Sequence, residues 1–478
     1  MGDMWKWASR ALVARAAWNW WRARHIRAEN AAYFLDSKSE RELLSSSNKG
    51  LVLDGAEARL SAEDSFRNAA VVATTGAGKT SSFILPNLLT LDDASIVATD
   101  PSGTLYERTS GDLKRRGFDV VRLDPVNLAS SIGYNPLARA NTFPEMQEVA
   151  HILIRTPNAG AKVDPFWVSG AEEITSIFIK CLKNHPNAER YANLANLQYL
   201  LNSFSSADAL LPFVAACAPD DATYHAFKGF ASQNEKTMQG LISQAKSALT
   251  MLSDPDVARL TARSSFDFER LRKRKTALFL VFPQNRVSYY SLLANLFYTQ
   301  LFHYCLDDRA YRAEALPIYF LLDEFGHLTI PDFPAIITTT RARRISLSIV
   351  LQSVSQLEER YGRQGAHTIL YGGVASRLFF SGMDIETASM LAETIGDTMI
   401  ERVDARGNTR FEREPLMTPA ALRAMPDDQV LYLFANKRPT LLGVKPYFER
   451  SALLRRTKTT PFEAPESGVA SRVELVPL

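Results

Sequence analysis

Residues 69–89 carry three consecutive patterns that constrain the fold more than any other stretch of the chain. Residues 69–73 are an apolar run typical of a buried strand, 74–80 (TTGAGKT) are small residues with one lysine, and 81–89 have apolar residues at helical spacing. A strand, a small-residue turn and a helix in this order surround phosphate oxygens with backbone N–H groups and a helix N-terminus. The stretch predicts a phosphate-binding loop in an α/β fold.

The turn follows the pattern GxxxxGK[ST], with Ala73 in place of the first glycine. Lys79 is expected to reach the β and γ phosphates of ATP, and Thr80 to offer its hydroxyl to Mg²⁺. The alternative is a glycine-rich turn with a chance lysine, but the flanking strand and helix favour the nucleotide loop. The predicted ATP-binding residues are Thr75, Gly76, Ala77, Gly78, Lys79, Thr80 and Ser81.

A second apolar strand, 318–324 (IYFLLDE), ends in two carboxylates. Downstream of a phosphate loop, Asp323 is expected to hold the Mg²⁺ shell and Glu324 to orient or deprotonate the attacking water. A third strand, 94–100, also ends in a carboxylate, Asp100, at the sheet edge where such folds keep their chemistry. These strands predict nucleotide hydrolysis.

Strand 346–352 ends in Gln352, whose amide is a candidate sensor of the γ phosphate or of the attacking water. The alternative is an amide that caps a turn. Arg341, Arg343 and Arg344 lie just before this strand. An arginine that reaches the γ phosphate of a neighbouring subunit stabilises the charge of the transition state, although not all three can do so.

Strands alternate with helices along most of the chain, which predicts a doubly wound parallel sheet. The strand signal disappears in the middle of the chain, where the pattern predicts an inserted all-α domain. The predicted units are an N-terminal segment, the first part of the nucleotide-binding domain, the all-α domain, the second part of the nucleotide-binding domain and a disordered tail, at 1–49, 50–142, 143–266, 267–456 and 457–478.

Charge and cysteine content exclude some classes of function. The net charge of +3 gives no global attraction to nucleic acid, so any such surface must be local. The three cysteines are widely separated, which argues for a reducing compartment and against a zinc site.

The basic run 270–275 is either a local DNA contact or a solvated helix end. The DNA-binding candidates are Arg272, Lys273, Arg274, Arg343 and Arg344.

Five of the six tryptophans lie in residues 5–21, among arginines that interrupt every apolar run. A bilayer span needs ~20 mostly apolar residues, so we expect no transmembrane helix here. Tryptophan with arginine is typical of a segment at the membrane surface. For residues 4–27 the open alternatives are therefore membrane-surface contact and a helix docked on a partner or on the protein itself.

Several motifs together resemble the TraG/TraD type of type IV secretion coupling protein, over about residues 50–448. The phosphate loop and the LLDE strand are shared with many ATPases, whereas DPFW and QSVSQLEERYG are more specific to this family. The matching segments are ATTGAGK at 73–79, TDPSGTLYERT at 99–109, YNPL at 134–137, DPFW at 164–167, LLDEFG at 321–326, LQSVSQLEERYG at 351–362 and PLMTPAALRAMPDDQVLYL at 415–433.

The resemblance implies a RecA-like P-loop domain with an inserted all-α domain, assembled as a ring of six with ATP and Mg²⁺ at the subunit interfaces. It implies a location at the cytoplasmic face of the bacterial inner membrane. The implied partners are relaxase-bound single-stranded DNA, the ATPases of the secretion channel and inner-membrane components. By position, the implied catalytic residues are Lys79, Glu324, Gln352 and, supplied in trans, Arg341, with Thr80 and Asp323 at the metal.

The chain departs from the family pattern at two places. Relatives usually have two transmembrane helices before the ATPase domain, where this chain has the tryptophan-rich segment, so integral anchoring is not expected. Relatives read like DPKGE after the second strand, whereas residues 100–104 read DPSGT and lack the lysine and the glutamate.

The resulting hypothesis is an ATP-driven translocase that moves relaxase-bound single-stranded DNA toward a secretion channel. The alternatives are a receptor for effector proteins of a type IV secretion system, and a DNA pump of the FtsK or HerA type.

Overall fold

The structure is a computed structural model, which describes residues 31–158, 162–308, 311–312, 314–403, 409–464 and 467–478. The predicted membrane-surface contact of residues 4–27 lies outside these residues.

Nine of the strands in the described residues form one sheet, in the order β11-β10-β7-β1-β6-β5-β2-β4-β3. The seven strands from β7 to β3 in this order are parallel, and β10 and β11 add an antiparallel edge. The predicted α/β class with a parallel central sheet is therefore confirmed. The strands are β1 Ala69–Val72, β2 Ser95–Thr99, β3 Asp119–Leu123, β4 Thr276–Leu280, β5 Ile318–Leu322, β6 Ile345–Leu351, β7 Ser376–Phe380, β8 Asp397–Val403, β9 Thr409–Pro415, β10 Gln429–Phe434 and β11 Thr440–Gly443.

The central strands are buried along their whole length, as expected for parallel strands covered by helices on both faces. β6 lies between β1 and β5, with Val72 of β1 beside Leu351 and Leu322 of β5 beside Ile349. The segments that follow β1, β5 and β6 therefore leave the sheet at the same edge. β8 and β9 form a separate two-stranded ribbon.

Helices cover both faces of the sheet. Phe302 of the long helix before β5, for example, packs on Phe320 of β5 with ring centroids 4.9 Å apart. The helices before residue 143 are α1 Ser37–Leu43, α2 Ala62–Ser65, α3 Leu85–Thr90, α4 Thr104–Arg115 and α5 Pro136–Arg139. The helices after residue 266, numbered on from those of residues 143–266, are α14 Arg270–Lys273, α15 Val287–Leu306, α16 Phe333–Thr339, α17 Ser355–His367, α18 Ile385–Ile395, α19 Pro419–Arg423 and α20 Ser451–Arg456.

Within residues 143–266, the described parts contain helices and no strand. Polar residues begin these helices: Thr142 and Glu145 form a capping box at the first, and Asp164 caps the second. The buried face of these helices shares one apolar core with a face of the sheet, so Phe178 and Phe320 belong to the same cluster. The helices are α6 Phe143–Arg155, α7 Pro165–Asn184, α8 Ala188–Tyr191, α9 Leu194–Ser203, α10 Ala207–Cys217, α11 Asp221–Ala231, α12 Glu235–Ala248 and α13 Pro255–Leu260.

The predicted disorder of residues 457–478 is wrong for their described part. Val469 and Val476 are buried against the helical region. Val476 N donates to Asn196 Oδ1 at 2.8 Å, and Asn196 Nδ2 donates to Glu474 O at 3.0 Å. A buried asparagine thus satisfies main-chain groups of the tail, which the sparse apolar content of the segment does not reveal.

Candidate nucleotide site

The predicted phosphate loop follows β1 and turns through two glycines with positive φ, Gly76 at 85° and Gly78 at 91°. A Cβ at Gly76 would meet no atom within 4 Å, so the turn needs glycine for its backbone conformation and not for space. The chain then enters a π-helical turn, Thr80–Ile84, that continues into α3. The seven predicted ATP-binding residues all lie in this loop and first turn.

Three predicted catalytic residues meet at the edge of the sheet. Lys79 Nζ lies 2.8 Å from Glu324 Oε1, and Gln352 Nε2 donates to Glu324 Oε2 at 3.0 Å. The side chains of Lys79 and Glu324 are only 9% and 15% exposed. The three residues follow β1, β5 and β6, and they converge because these strands are neighbours in the sheet.

Asp323 and Thr80 fit the predicted magnesium site. Thr80 Oγ1 lies 3.3 Å from Asp323 Oδ2, so a hydroxyl and a carboxylate, both oxygen ligands that Mg²⁺ accepts, face each other beside the phosphate loop. Burial raises the pKa of Asp323 to about 6, although nearby Lys79 opposes this shift. A divalent cation would relieve that cost because it favours the ionised carboxylate.

Asp100 is a second buried carboxylate near this site. It follows β2, is fully buried, and accepts a hydrogen bond from Tyr106 N at 2.8 Å through Oδ2. Its Oδ1 has no partner among the described residues. Burial raises the pKa of Asp100 to about 6, and the charge of Asp323 adds to the shift. The sequence signal was an apolar strand that ends in aspartate, but it gave Asp100 no specific role.

Arg341 lies far from the nucleotide loop of its own chain. It belongs to the 3-10 turn Thr340–Arg343 before β6, whereas Gln352 follows β6 at the other edge of the sheet. The seven residues of β6 alone span roughly 23 Å. Arg341 is exposed, and its side chain makes no hydrogen bond or ion pair within the described residues. Its guanidinium is therefore free to contact another molecule.

Arg272 is not a surface residue, so its prediction as a DNA contact is wrong. It is 4% exposed, and its guanidinium donates to Leu316 O at 2.9 Å and to Cys305 O at 3.3 Å. Burial lowers the pKa of Arg272. This arginine tethers the end of α15 and the segment before β5.

The other four basic candidates differ in how far they are already engaged. Lys273 pairs with Glu269, and Arg343 pairs with Asp308. Arg344 has a positive φ of 51° and donates to Ala315 O at 3.2 Å. Arg274 is exposed and has no side-chain partner among the described residues. All four precede β4 or β6 and lie at the edge of the sheet opposite the phosphate loop.

No helix in the described ranges, which begin at residue 31, combines the length and the apolar content that a bilayer span requires.

Comparison with known proteins gives a consistent set of relatives. The chain is 25% identical over 408 residues to the protein VirD4 of Rhizobium radiobacter, covering 80% of this chain and 57% of VirD4. It is 27% identical over 411 residues to the conjugal transfer protein TraG of Rhizobium radiobacter, covering 80% of this chain and 62% of TraG. The chain thus spans about three fifths of the length of these curated relatives.

Solved structures of the conjugative coupling protein TrwB have the same fold. The form in complex with sulphate has a TM-score of 0.67 at 17% identity, covering 87% of this chain and 94% of TrwB. TrwB in complex with ADP and Mg²⁺ gives the same values. The predicted RecA-like P-loop fold is confirmed by this likeness.

The family model described as Type IV secretory system Conjugative DNA transfer matches residues 25–469, which is nearly the whole chain. This chain therefore belongs to the type IV secretory system conjugative DNA-transfer family, the coupling proteins that its motifs resemble.

Proposed function

We propose that this protein is an ATP-hydrolysing coupling protein that recruits relaxase-bound single-stranded DNA and drives it into a type IV secretion channel. The observation that carries the proposal is the contact of Glu324 with both Lys79 and Gln352, in a chain that matches the coupling-protein family over most of its length. These three residues supply a phosphate-binding lysine, a carboxylate to act on water and an amide to position that carboxylate, which are among the parts that phosphoryl transfer to water uses.

The phosphates of ATP bind the backbone N–H groups of the loop and Lys79, as in other loops of this type. Thr80 and Asp323 would hold Mg²⁺, which would neutralise charge on the phosphates. Lys79 must release Glu324 when it binds phosphate, and the freed carboxylate then orients or deprotonates the attacking water. Gln352 keeps its hydrogen bond to the second oxygen of Glu324 and holds the carboxylate in place.

Arg341 is the residue that we propose acts on the nucleotide of a neighbouring subunit. Its exposure and its lack of a partner within the described residues support this role. A guanidinium supplied in trans stabilises transition-state charge and is worth roughly 1,000-fold or more in rate. Catalysis at subunit interfaces requires a closed oligomer, and a ring of six agrees with the resemblance to the family.

Single-stranded DNA contacts the ring mainly through charge, with little dependence on sequence. Lys273, Arg274, Arg343 and Arg344 remain candidates, with Arg274 the least engaged of the four, and the buried Arg272 is excluded. The proposed partners are the relaxase on the DNA, the ATPases of the channel and inner-membrane components. The proposed location is the cytoplasmic face of the bacterial inner membrane, with residues 4–27 as a possible membrane-surface contact.

The test is the rate of ATP turnover with and without single-stranded DNA, over a range of salt concentrations. The proposal expects DNA to raise the rate at low salt and the stimulation to fade as salt increases. Glu324→Gln is the matched control, because it should still bind nucleotide but should not turn it over. If DNA failed to stimulate turnover at every salt concentration, the cargo would have to be sought among proteins.

A further inference from the structure

A cleft of about 370 Å³ lies at the edge of the sheet opposite the phosphate loop. The residues just before β1 and β7 and the segment before β6 form its walls. Its polar lining is Arg67, Asn68, Thr338, Arg341, Tyr371 and Arg377. Among the described residues that line this cleft there is no aspartate or glutamate.

Arg377 is the buried member of this lining. It is the second residue of β7, where Ala70 of β1 and Leu433 of β10 flank it, and it is only 9% exposed. Its guanidinium lies over the ring of Tyr371, 5.1 Å from the centroid. Its Nε is buried without a partner, and no described residue forms a hydrogen bond or an ion pair with the guanidinium. Burial lowers the pKa of Arg377, as expected for an uncompensated cation.

A buried cation without an acid is costly, and the sequence could avoid the cost with any apolar residue at this strand position. The other two arginines of the cleft differ. Arg67 already lies 3.7 Å from Asp64 and over the ring of Phe434. Arg341 is exposed at the mouth and has no partner within the described residues. The cleft therefore holds two cations, one deep and one exposed, that no carboxylate neutralises.

We propose that this cleft is a second anion site, which binds phosphate oxygens through Arg377 at its base and Arg341 at its mouth. Guanidinium groups recognise phosphate through paired N–H donors, and a ring stacked on one face of Arg377 fixes the plane of those donors. A phosphate bound in the phosphate loop of the same chain is excluded as the ligand, because that loop lies at the opposite edge of the sheet.

Two sources could deliver the phosphate: a nucleotide presented by a second copy of this chain, and the backbone of a nucleic-acid strand. The anion site itself does not depend on the proposed function, whereas each of the two phosphate sources does. The binding test therefore uses inorganic tripolyphosphate and no hydrolysis.

The binding test is thermal denaturation of Lys79→Ala with and without tripolyphosphate, in a background where the phosphate loop is disabled. We expect tripolyphosphate to raise the Tm by roughly 2–4 °C at saturating concentration. The rise should vanish in Lys79→Ala/Arg377→Met and persist in Lys79→Ala/Arg363→Met, which removes an exposed arginine of α17 to which no binding role is given. An undiminished rise without Arg377, or no rise in Lys79→Ala itself, would overturn the proposal.

The Tm measured without ligand shows whether each variant is folded. Because methionine removes an uncompensated buried charge, Arg377→Met should melt no earlier than the parent. If Arg377→Met does not fold, Arg377→Lys keeps the charge but loses the paired donors, and it should reduce the rise in Tm. A full rise in Arg377→Lys would then contradict a guanidinium-specific site.

Two further measurements separate the sources. If the phosphate comes from a nucleotide on a second copy, mixing Arg377→Met with Lys79→Ala restores ATP turnover, because one interface then has both an intact lysine and an intact arginine. If it comes from nucleic acid, Arg377→Met weakens single-stranded DNA binding at low salt and leaves DNA-free turnover unchanged. An Arg377→Met protein that matches the parent in both measurements would overturn a phosphate role for the cleft. Restored turnover in a mixture of Arg341→Ala with Lys79→Ala checks interface catalysis separately.

Discussion

Lys79 Nζ lies 2.8 Å from Glu324 Oε1, in an ion pair that is almost closed to solvent. The lysine that should bind phosphate and the carboxylate that should act on water thus neutralise each other in this structure. Phosphate can replace Glu324 as the partner of Lys79, because both are anions. Nucleotide binding would then release the carboxylate at the moment when the attacking water needs it.

The ion pair predicts a specific pattern of stability. Lys79→Met leaves Glu324 buried without its cation, which should cost roughly 3 kcal/mol of the free energy of unfolding. Adding Glu324→Gln removes the orphaned charge, so the double variant should recover most of that loss. Thermal denaturation of the nucleotide-free proteins measures the cycle. Additive losses in the double variant would mean that the pair is not formed in solution.

Gln352 should matter for turnover more than for binding. Gln352→Ala removes the hydrogen bond that orients Glu324 Oε2, so kcat should fall roughly 100-fold with little change in the KM for ATP. Steady-state kinetics give both values. The matched control is Ser353→Ala, the next residue, whose hydroxyl contacts Ser355 and not the site. An equal loss in the control would assign the effect to the backbone of this turn.

Asp100 should make stability depend on pH. Burial raises its pKa from 3.8 to about 6, so the folded protein binds this proton more tightly than the unfolded chain does. The free energy of unfolding therefore falls as pH rises from about 4 to 6, and it stays lower above that range. Asp100→Asn cannot ionise and keeps an oxygen for Tyr106 N. At pH 8 this variant should have a free energy of unfolding roughly 1–3 kcal/mol above that of the parent, seen as a higher Tm. At pH 5 the increase should be smaller.

The control for this pH prediction is Asp93→Asn, because the Asp93 side chain is 74% exposed. Its Tm should follow that of the parent at both pH values. A gain for Asp100→Asn that is the same at pH 5 and pH 8 would show that ionisation of Asp100 is not its cause.

The C-terminal tail should contribute to the stability of the helical region. Val476 is 1% exposed, and its backbone is bonded to Asn196, so Val476→Asp places a charge in the core and should lower the Tm by several degrees. Leu475→Asp is the matched control, because the adjacent Leu475 is 54% exposed. Thermal denaturation of both variants measures the difference. Equal Tm values would mean that the tail does not dock.

The sequence was most informative where a motif is local. The phosphate loop and the strand ends at Asp323, Glu324 and Gln352 are each defined by adjacent residues, and the alternation of strands with helices predicted one parallel sheet. Their convergence follows from the order of β1, β6 and β5, which sequence pattern alone does not give. The family resemblance supplied that step.

Long-range burial was not predictable in the same way. Arg272 lies in a run of basic residues, and nothing within the run tells which side chain turns inward to bond Leu316 and Cys305, more than thirty residues away in sequence. The docking of Val476 depends on Asn196, which lies 280 residues earlier. The burial of Arg377 likewise depends on strands β1 and β10 from distant parts of the chain.

The most direct test of the central claim is the specific ATPase activity as a function of protein concentration, with and without single-stranded DNA, for the parent and for Arg341→Ala. If a neighbour completes each active site, the activity of the parent should rise with concentration, and DNA should move that rise to lower concentration. Arg341→Ala should stay inactive until Lys79→Ala is mixed in. Activity that is flat with concentration, indifferent to DNA and unchanged by Arg341→Ala would contradict a DNA motor that hydrolyses ATP at its subunit interfaces.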